Sequence, residues 1–228
     1  DTAGVRVELR TRVVRVLREG DRVTGVVTED GRILASAILV DATEHGDVIP
    51  LTGARYRAGN SISDALDRDA CIQDITYLAV IRRYPTGVPA ALRIATPPPG
   101  YTTARRDEFA TAAARIGADP ALPFGLAFNL SYRGMPDSTN PVSYTNAMPL
   151  EITRTGVNHA NDYPGWSVGR DPMGAVRAIW RDVVTVRFLE DRAERRRVAC
   201  EAKLITLQFL YYWQQEIDPE WSVADDEG

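Results

Sequence analysis

Along the first thirty-five residues apolar and polar positions largely alternate. Residues 5–9, VRVEL, have period two, which predicts a half-buried strand. Val13, Val14 and Val16 predict a second strand, REGDR (18–22) a polar turn, and Val23 to Thr28 a returning strand. Asp30-Gly31 is a hairpin signal, because glycine accepts the positive φ of a tight primed turn, and Ile33 to Ala35 then pairs back. The pattern changes over Ala37 to Thr43. Ile38-Leu39-Val40 is a continuous apolar run, which predicts a strand buried on both faces in a different, mainly parallel sheet.

Beyond Gly53 the texture is mixed. Residues 71–84, CIQDITYLAVIRRY, combine aromatic and β-branched residues and predict one or two strands. PTGVP (85–89) and PPPG (97–100) interrupt any regular element. Residues 105–116 suit a short amphipathic helix, and 119–166 predict irregular loops with a few short strands. From about Ala175 to Glu216 the chain is expected to be helical. The run DRAERRRVACEAKLITLQFLYYWQQEI begins polar and ends apolar, so its second half is expected to be buried, with Tyr211, Tyr212 and Trp213 in the core. Arg192 to Arg197 alternate with acids, as a solvated helix face does.

Composition narrows the picture. The 228 residues are 44% hydrophobic and 25% charged with a net charge of −4, which fits a globular protein and excludes a broadly basic nucleic-acid surface. No run of eighteen apolar residues offers a membrane span and no signal peptide is visible, so a cytoplasmic location is the favoured expectation. Cys71 and Cys200 lack metal-ligand spacing and are expected to be buried free thiols. The chain opens on Asp1 inside an expected strand and its first methionine is Met135, which gives it the look of a piece of something longer.

Candidate chemistry gathers at AILVDATEHGDVIPLTG (37–53). Ligands in open α/β sheets bind beyond the carboxyl ends of the strands, and small residues such as Ala42 and Gly46 let backbone approach a bulky cofactor. The plainer alternative is a strand closed by an ordinary polar turn. Asp41, Glu44, His45 and Asp47 are neighbours on one short turn and rarely enclose a metal, so none is expected. A second candidate is GVNHANDYPGW (156–166). Asn158, His159, Asn161 and Asp162 could frame a small polar substrate beside Trp166, or simply form a turn closed by Pro164-Gly165.

The string V-x-L-x-T-x-V-x-x-V, a hairpin ending in Asp30-Gly31, and an apolar run closing on Ala42-Thr43 together resemble FAD-dependent oxidoreductases of the glutathione-reductase-like kind. The chain is more similar to a bacterial subgroup with the pattern D-A-T-E-x-G-D-x-x-x-L-x-G, here Asp41, Ala42, Thr43, Glu44, Gly46, Asp47, Leu51 and Gly53. CIQDITYLAV (71–80) and AKLITLQFLYYWQQE (202–216) resemble the same subgroup.

The resemblance implies FAD as cofactor, with Val13, Ala42, Thr43, Glu44, Gly46 and Asp47 near its adenine, ribose and phosphates. It implies an α/β protein, α+β in this chain. Residues 1–53 would be part of a Rossmann-like FAD-binding domain with an antiparallel meander, 54–186 a mixed substrate or cap domain, and 187–228 a long helix returning toward the FAD domain. None of the seventeen glycines has another two positions away, so G-x-G-x-x-G is missing, as is the family's late flavin-holding segment. The chain alone is therefore expected to be inactive. The implied reaction is hydride transfer between flavin and a small polar molecule, with catalytic residues undetermined. The rivals are a carbohydrate-active hydrolase or lyase using paired acids such as Glu44 and Asp47, and a non-catalytic carbohydrate-binding module.

Overall fold

The computed structural model describes residues 4–62, 65–116, 134–136, 152–157, 160–170, 176–180 and 183–226. The chain forms two compact units, Asp1–Cys71 with Thr185–Arg192, and Ile72–Val184 with Ala193–Gly228.

The first unit is built on an antiparallel meander of β1 (Val13–Glu19), β2 (Arg22–Thr28) and β3 (Ile33–Ala35). Val16 faces Val26 across β1 and β2, and Val26 faces Leu34 across β2 and β3. Val16, Val26 and Val48 form a small buried cluster on which Val13, Val23, Leu34 and Leu39 pack. Gly31 closes the second hairpin at φ +84°, as the Asp-Gly pair predicts. A one-turn helix α1 (Ile49–Thr52) carries Pro50 at its start, where a missing N–H costs nothing, and ends on Gly53 at φ +71°.

Two expectations fail in this unit. Residues 5–9 belong to no strand, and Val5, Val7 and Leu9 are exposed. Residues 37–43 are also unpaired, with Ile38 81% and Val40 78% exposed, so the run is not buried on both faces. Only Leu39 turns inward, onto the valine cluster. The reason is shared. An apolar pattern specifies which faces seek cover, but a strand also needs a neighbour for its N–H and C=O groups. Among the described residues neither segment has one.

The second unit contains β4 (Ile75–Thr76), β5 (Ala79–Arg83), helix α2 (Thr103–Ile116), β6 (Gly134–Pro136), β7 (Ile152–Val157), β8 (Asp162–Tyr163), β9 (Trp166–Arg170) and β10 (Val176–Trp180). It ends with helix α3 (Arg192–Tyr212), a π-turn at Trp213–Ile217, and β11 (Trp221–Val223). Strands β11-β5-β7-β6 make an antiparallel sheet, and β4-β8 and β9-β10 are separate pairs. Strand β10 corrects the sequence expectation of helix from Ala175. VRAIW holds two β-branched residues and a tryptophan, types that favour strands, and it pairs with WSVGR of β9.

The core of this unit lies on α3. Val198, Ala202, Ile205, Phe209 and Tyr212 recur at spacings of three and four, which places them on one buried stripe. Phe109 of α2 packs 5.1 Å from Phe209, and Trp213 meets Trp221 at 6.2 Å. Ile81 and Val157, on paired strands, complete the cluster. The cysteines are free, but Cys200 is exposed on α3 and Cys71 is half-buried, because the helix turns its polar first half outward. Among the described residues no helix is long and apolar enough to cross a membrane.

Candidate functional site

The turn Asp41–Ile49 organises itself. Asp41 Oδ2 accepts the backbone N–H groups of Val48 at 2.9 Å and Ile49 at 3.1 Å. Its Oδ1 accepts the backbone N–H and the hydroxyl of Thr43, at 3.0 and 2.7 Å. Thr43 Oγ1 in turn accepts the Asp47 N–H at 2.7 Å. Partial burial pushes the Asp41 carboxyl up, but the bonds from Thr43, Val48 and Ile49 outweigh it and hold the group below its ordinary range. Thus Asp41 and the Thr43 hydroxyl build the turn. His45 anchors it through an edge contact with Phe188 at 5.1 Å between ring centroids.

What the turn offers outward is backbone and two acids. Among the described residues the N–H groups of Ala42, Glu44 and His45 have no hydrogen-bond partner, and Ala42 and Glu44 are exposed. Gly46 sits at φ +66°, and a Cβ there would lie 3.1 Å from Ile49 Cδ1. At Val13 the ladder shifts register, pairing Val13 with Thr28 and Arg15 with Val27, so Val14 is bulged out. Bulges release backbone groups from a ladder and re-aim side chains. These features suit the flavin adenine dinucleotide that the resemblance implies, with one qualification of chemistry. Asp41, Glu44 and Asp47 make the turn acidic, which repels a pyrophosphate and suits the hydroxyls of a ribose.

In the second unit β4 and β8 pair Ile75 with Tyr163 and Thr76 with Asp162. The Thr76 hydroxyl donates to Asp162 Oδ1. Beside this bond lies Asp74, whose Oδ2 is buried and has no partner among the described residues. Burial, then the charge of Asp162, push the Asp74 carboxyl up to about 6. Asn161 is wholly buried, and its Nδ2 donates to Thr206 Oγ1 at 3.0 Å and to the Tyr77 carbonyl at 3.3 Å. Its Oδ1 is unpartnered among the described residues. Tyr163 accepts from Arg197 at 3.0 Å, and Arg197 is held by Glu194.

The fold therefore joins Asp162, singled out from sequence, to Asp74, which was not. The available signal was its place inside CIQDITYLAV, but no residue type there stands out as an acid–base group. Asn158 and His159, the other expected substrate contacts, lie outside the described residues.

The family model for FAD dependent oxidoreductases matches residues 1–216. No solved structure matches the chain. This match displaces the hydrolase or lyase reading of Glu44 and Asp47 and the separate binding-module reading, and the mixed helix and antiparallel sheet content agrees with the α+β expectation. The chain belongs to the FAD-dependent oxidoreductase family, a family of flavin enzymes whose cofactor is FAD.

Proposed function

We propose that this chain serves a flavoenzyme of the glutathione-reductase-like kind that oxidises a small polar substrate bearing a hydroxyl or amine. Residues 1–53 then contribute part of a Rossmann-like FAD-binding domain, completed by a glycine-loop segment beyond these 228 residues. The exposed apolar side chains of Ile38 and Val40 support this, since such a run gains cover when neighbouring strands are present. Val13, Ala42, Thr43, Glu44, Gly46 and Asp47 face the adenosine half, with the acids on ribose hydroxyls. Alone, the chain holds FAD weakly and is inactive.

FAD, when bound, would supply the two-electron acceptor for the hydride lost by the substrate carbon. The chain handles the proton. Asp74 takes it from the substrate hydroxyl or ammonium, and Asp162, held by Thr76, keeps a second negative charge beside it. The observation that carries this assignment is the Asp74 carboxyl itself, with a buried oxygen unpartnered among the described residues and a proton affinity raised to about 6 by burial and Asp162. On this reading Asn158 and His159 remain substrate contacts, whereas Asn161, wholly buried, supports the site from within the core.

The test is the rate of flavin reduction in the holoenzyme, screened against a panel of aldoses, polyols and amines. With the substrate found, Asp74→Asn should lower the rate by roughly a hundredfold or more, the span of a lost general base. The wild-type rate should fall as pH drops through about 6, as Asp74 protonates. An unchanged rate in Asp74→Asn removes Asp74 from the chemistry.

A further inference from the structure

The two acids of the second unit stand on a short ladder. Asp74 leads directly into β4 and Asp162 opens β8, and these strands share only the pairs Ile75–Tyr163 and Thr76–Asp162. A two-stranded ladder of this length is not stable in water by itself. Something outside it must keep Asp162 beside Asp74.

Helix α3 supplies that hold at the Asp162 end of the ladder. Thr206 is 3% exposed, and its hydroxyl has one hydrogen to donate. The carbonyl of Tyr77, the residue after β4, lies 2.7 Å from Thr206 Oγ1 and the Ala202 carbonyl 3.1 Å, so the shorter bond to Tyr77 takes the hydrogen. The same oxygen accepts Nδ2 of Asn161, the residue before β8, at 3.0 Å. One hydroxyl of the helix thus clasps both strands immediately beyond the Thr76–Asp162 pair. Without it, the Tyr77 carbonyl is left with the longer bond from Asn161 Nδ2, at 3.3 Å.

The charges that α3 brings to the ladder are engaged elsewhere. Arg197 donates to the Tyr163 hydroxyl at 3.0 Å and is held by Glu194, and Lys203 lies 5.4 Å from the centre of the Tyr77 ring. Among the described residues neither cation pairs with Asp74 or Asp162, so Asp162 is the charge that acts on Asp74.

We propose that Thr206 is a positioning residue of this site, whose hydroxyl fixes the end of β4 against α3 and so keeps Asp74 sheltered and close to Asp162. On the reading of Asp74 as the general base, on which this rests, Thr206 acts on the chemistry without bonding to either acid. Loss of the hydroxyl loosens β4, admits water to Asp74 and lets Asp162 draw away. Each change returns the Asp74 carboxyl toward its ordinary range.

The experiment follows the Asp74 carboxyl carbon by NMR against pH in the 228-residue chain without flavin, with Asp74→Asn assigning the signal. Wild type should titrate at about 6. Thr206→Val keeps the shape of the side chain without its hydroxyl, and should lower the midpoint by roughly half a pH unit or more, about threefold in proton affinity. Thr206→Ser restores the hydroxyl and should restore the midpoint. Thr111→Val is the control, since the Thr111 hydroxyl donates within its own helix, to the Asp107 carbonyl at 2.8 Å; it should move nothing. Melting curves check that each variant folds, and Thr206→Ala repeats the test if the valine variant does not. In the holoenzyme, the pH at which flavin reduction falls should shift with the titration. A wild-type midpoint at the ordinary 3.8, a Thr206→Val midpoint equal to wild type, or one that Thr206→Ser fails to restore overturns the positioning role. Unchanged flavin reduction in Asp74→Asn overturns instead the reading of Asp74 as the base, so the two failures are distinct.

Discussion

The carboxylate of Asp41 accepts the backbone N–H of Val48 at 2.9 Å, seven residues along, and so closes the turn that ends the exposed apolar run. Val48 is buried against Val16 and Val26. One side chain therefore ties a polar turn to the core of the meander.

Asp41→Ala should accordingly destabilise the first unit by about 1–2 kcal/mol, the usual loss when a capping carboxylate is removed. The dependence on pH has a definite sign. The folded carboxyl lies below its ordinary 3.8, so its stabilisation is present above that value and fades as pH falls through the folded value. Thermal melting of wild type and Asp41→Ala between pH 2 and 7 checks this. The two curves should converge at the acid end, and parallel curves would refute the assignment.

Asp74 should behave in the opposite way. Its folded carboxyl is raised to about 6 from 3.8, first by burial and then by Asp162. The native state binds the extra proton, so ionisation costs stability between those two values, and the full cost is present above about 6. Because the group is partly exposed, the penalty is discounted to about 1 kcal/mol. Asp74→Asn should therefore melt higher than wild type at pH 7–8 and lose that advantage near pH 4. Gain of stability with loss of flavin reduction would mark a group kept for chemistry. A variant that melts lower at pH 8 would count against the buried-charge account.

Asn161 carries a different expectation. Its Nδ2 satisfies Thr206 Oγ1 and the Tyr77 carbonyl inside the core of the second unit. Asn161→Leu would remove these bonds but leave the Tyr77 carbonyl its donor in the Thr206 hydroxyl at 2.7 Å, at a cost of about 1 kcal/mol. The loss should be independent of pH between 5 and 8, since no titrating bond is broken. Chemical denaturation at three pH values measures it, and a loss below 0.5 kcal/mol, roughly the size of a surface change, would show the amide to be dispensable.

The meander was legible because each signal was local. Alternating valines specify strand faces, and Asp30-Gly31 specifies the hairpin, so β1 to β3 fall where the pattern puts them. Residues 37–43 were misread because burial is a property of neighbours, and Ile38-Leu39-Val40 cannot declare whether any exist. The acid pair was half legible. Asp162 sits among polar loop residues that draw attention, whereas Asp74 gains its character from burial and then from Asp162, which Thr76, 86 positions from it along the chain, holds by pairing. Such partners are fixed by the pairing of β4 with β8, which no short motif records.

The last expectation concerns Gly46. It lies at φ +66°, and an added Cβ would meet Ile49 Cδ1 at 3.1 Å, so a side chain there carries both backbone strain and crowding. Gly31 supplies the control. It lies at φ +84° with nothing within 4 Å of an added Cβ, so Gly31→Val tests the strain alone. Each should lower stability by roughly 1–2 kcal/mol through the left-handed backbone, with Gly46→Val somewhat the worse. The turn around Gly46 presents the unpartnered N–H groups of Ala42, Glu44 and His45, whereas the hairpin at Gly31 is remote from them in sequence. In the holoenzyme Gly46→Val should therefore weaken FAD affinity at least tenfold, and Gly31→Val should leave it within twofold. Flavin content per folded protein, read beside the melting curve of each variant, separates loss of cofactor from loss of fold. Full flavin occupancy in Gly46→Val would make the 41–49 turn a purely structural cap on the meander, held by Asp41 and without a part in binding FAD.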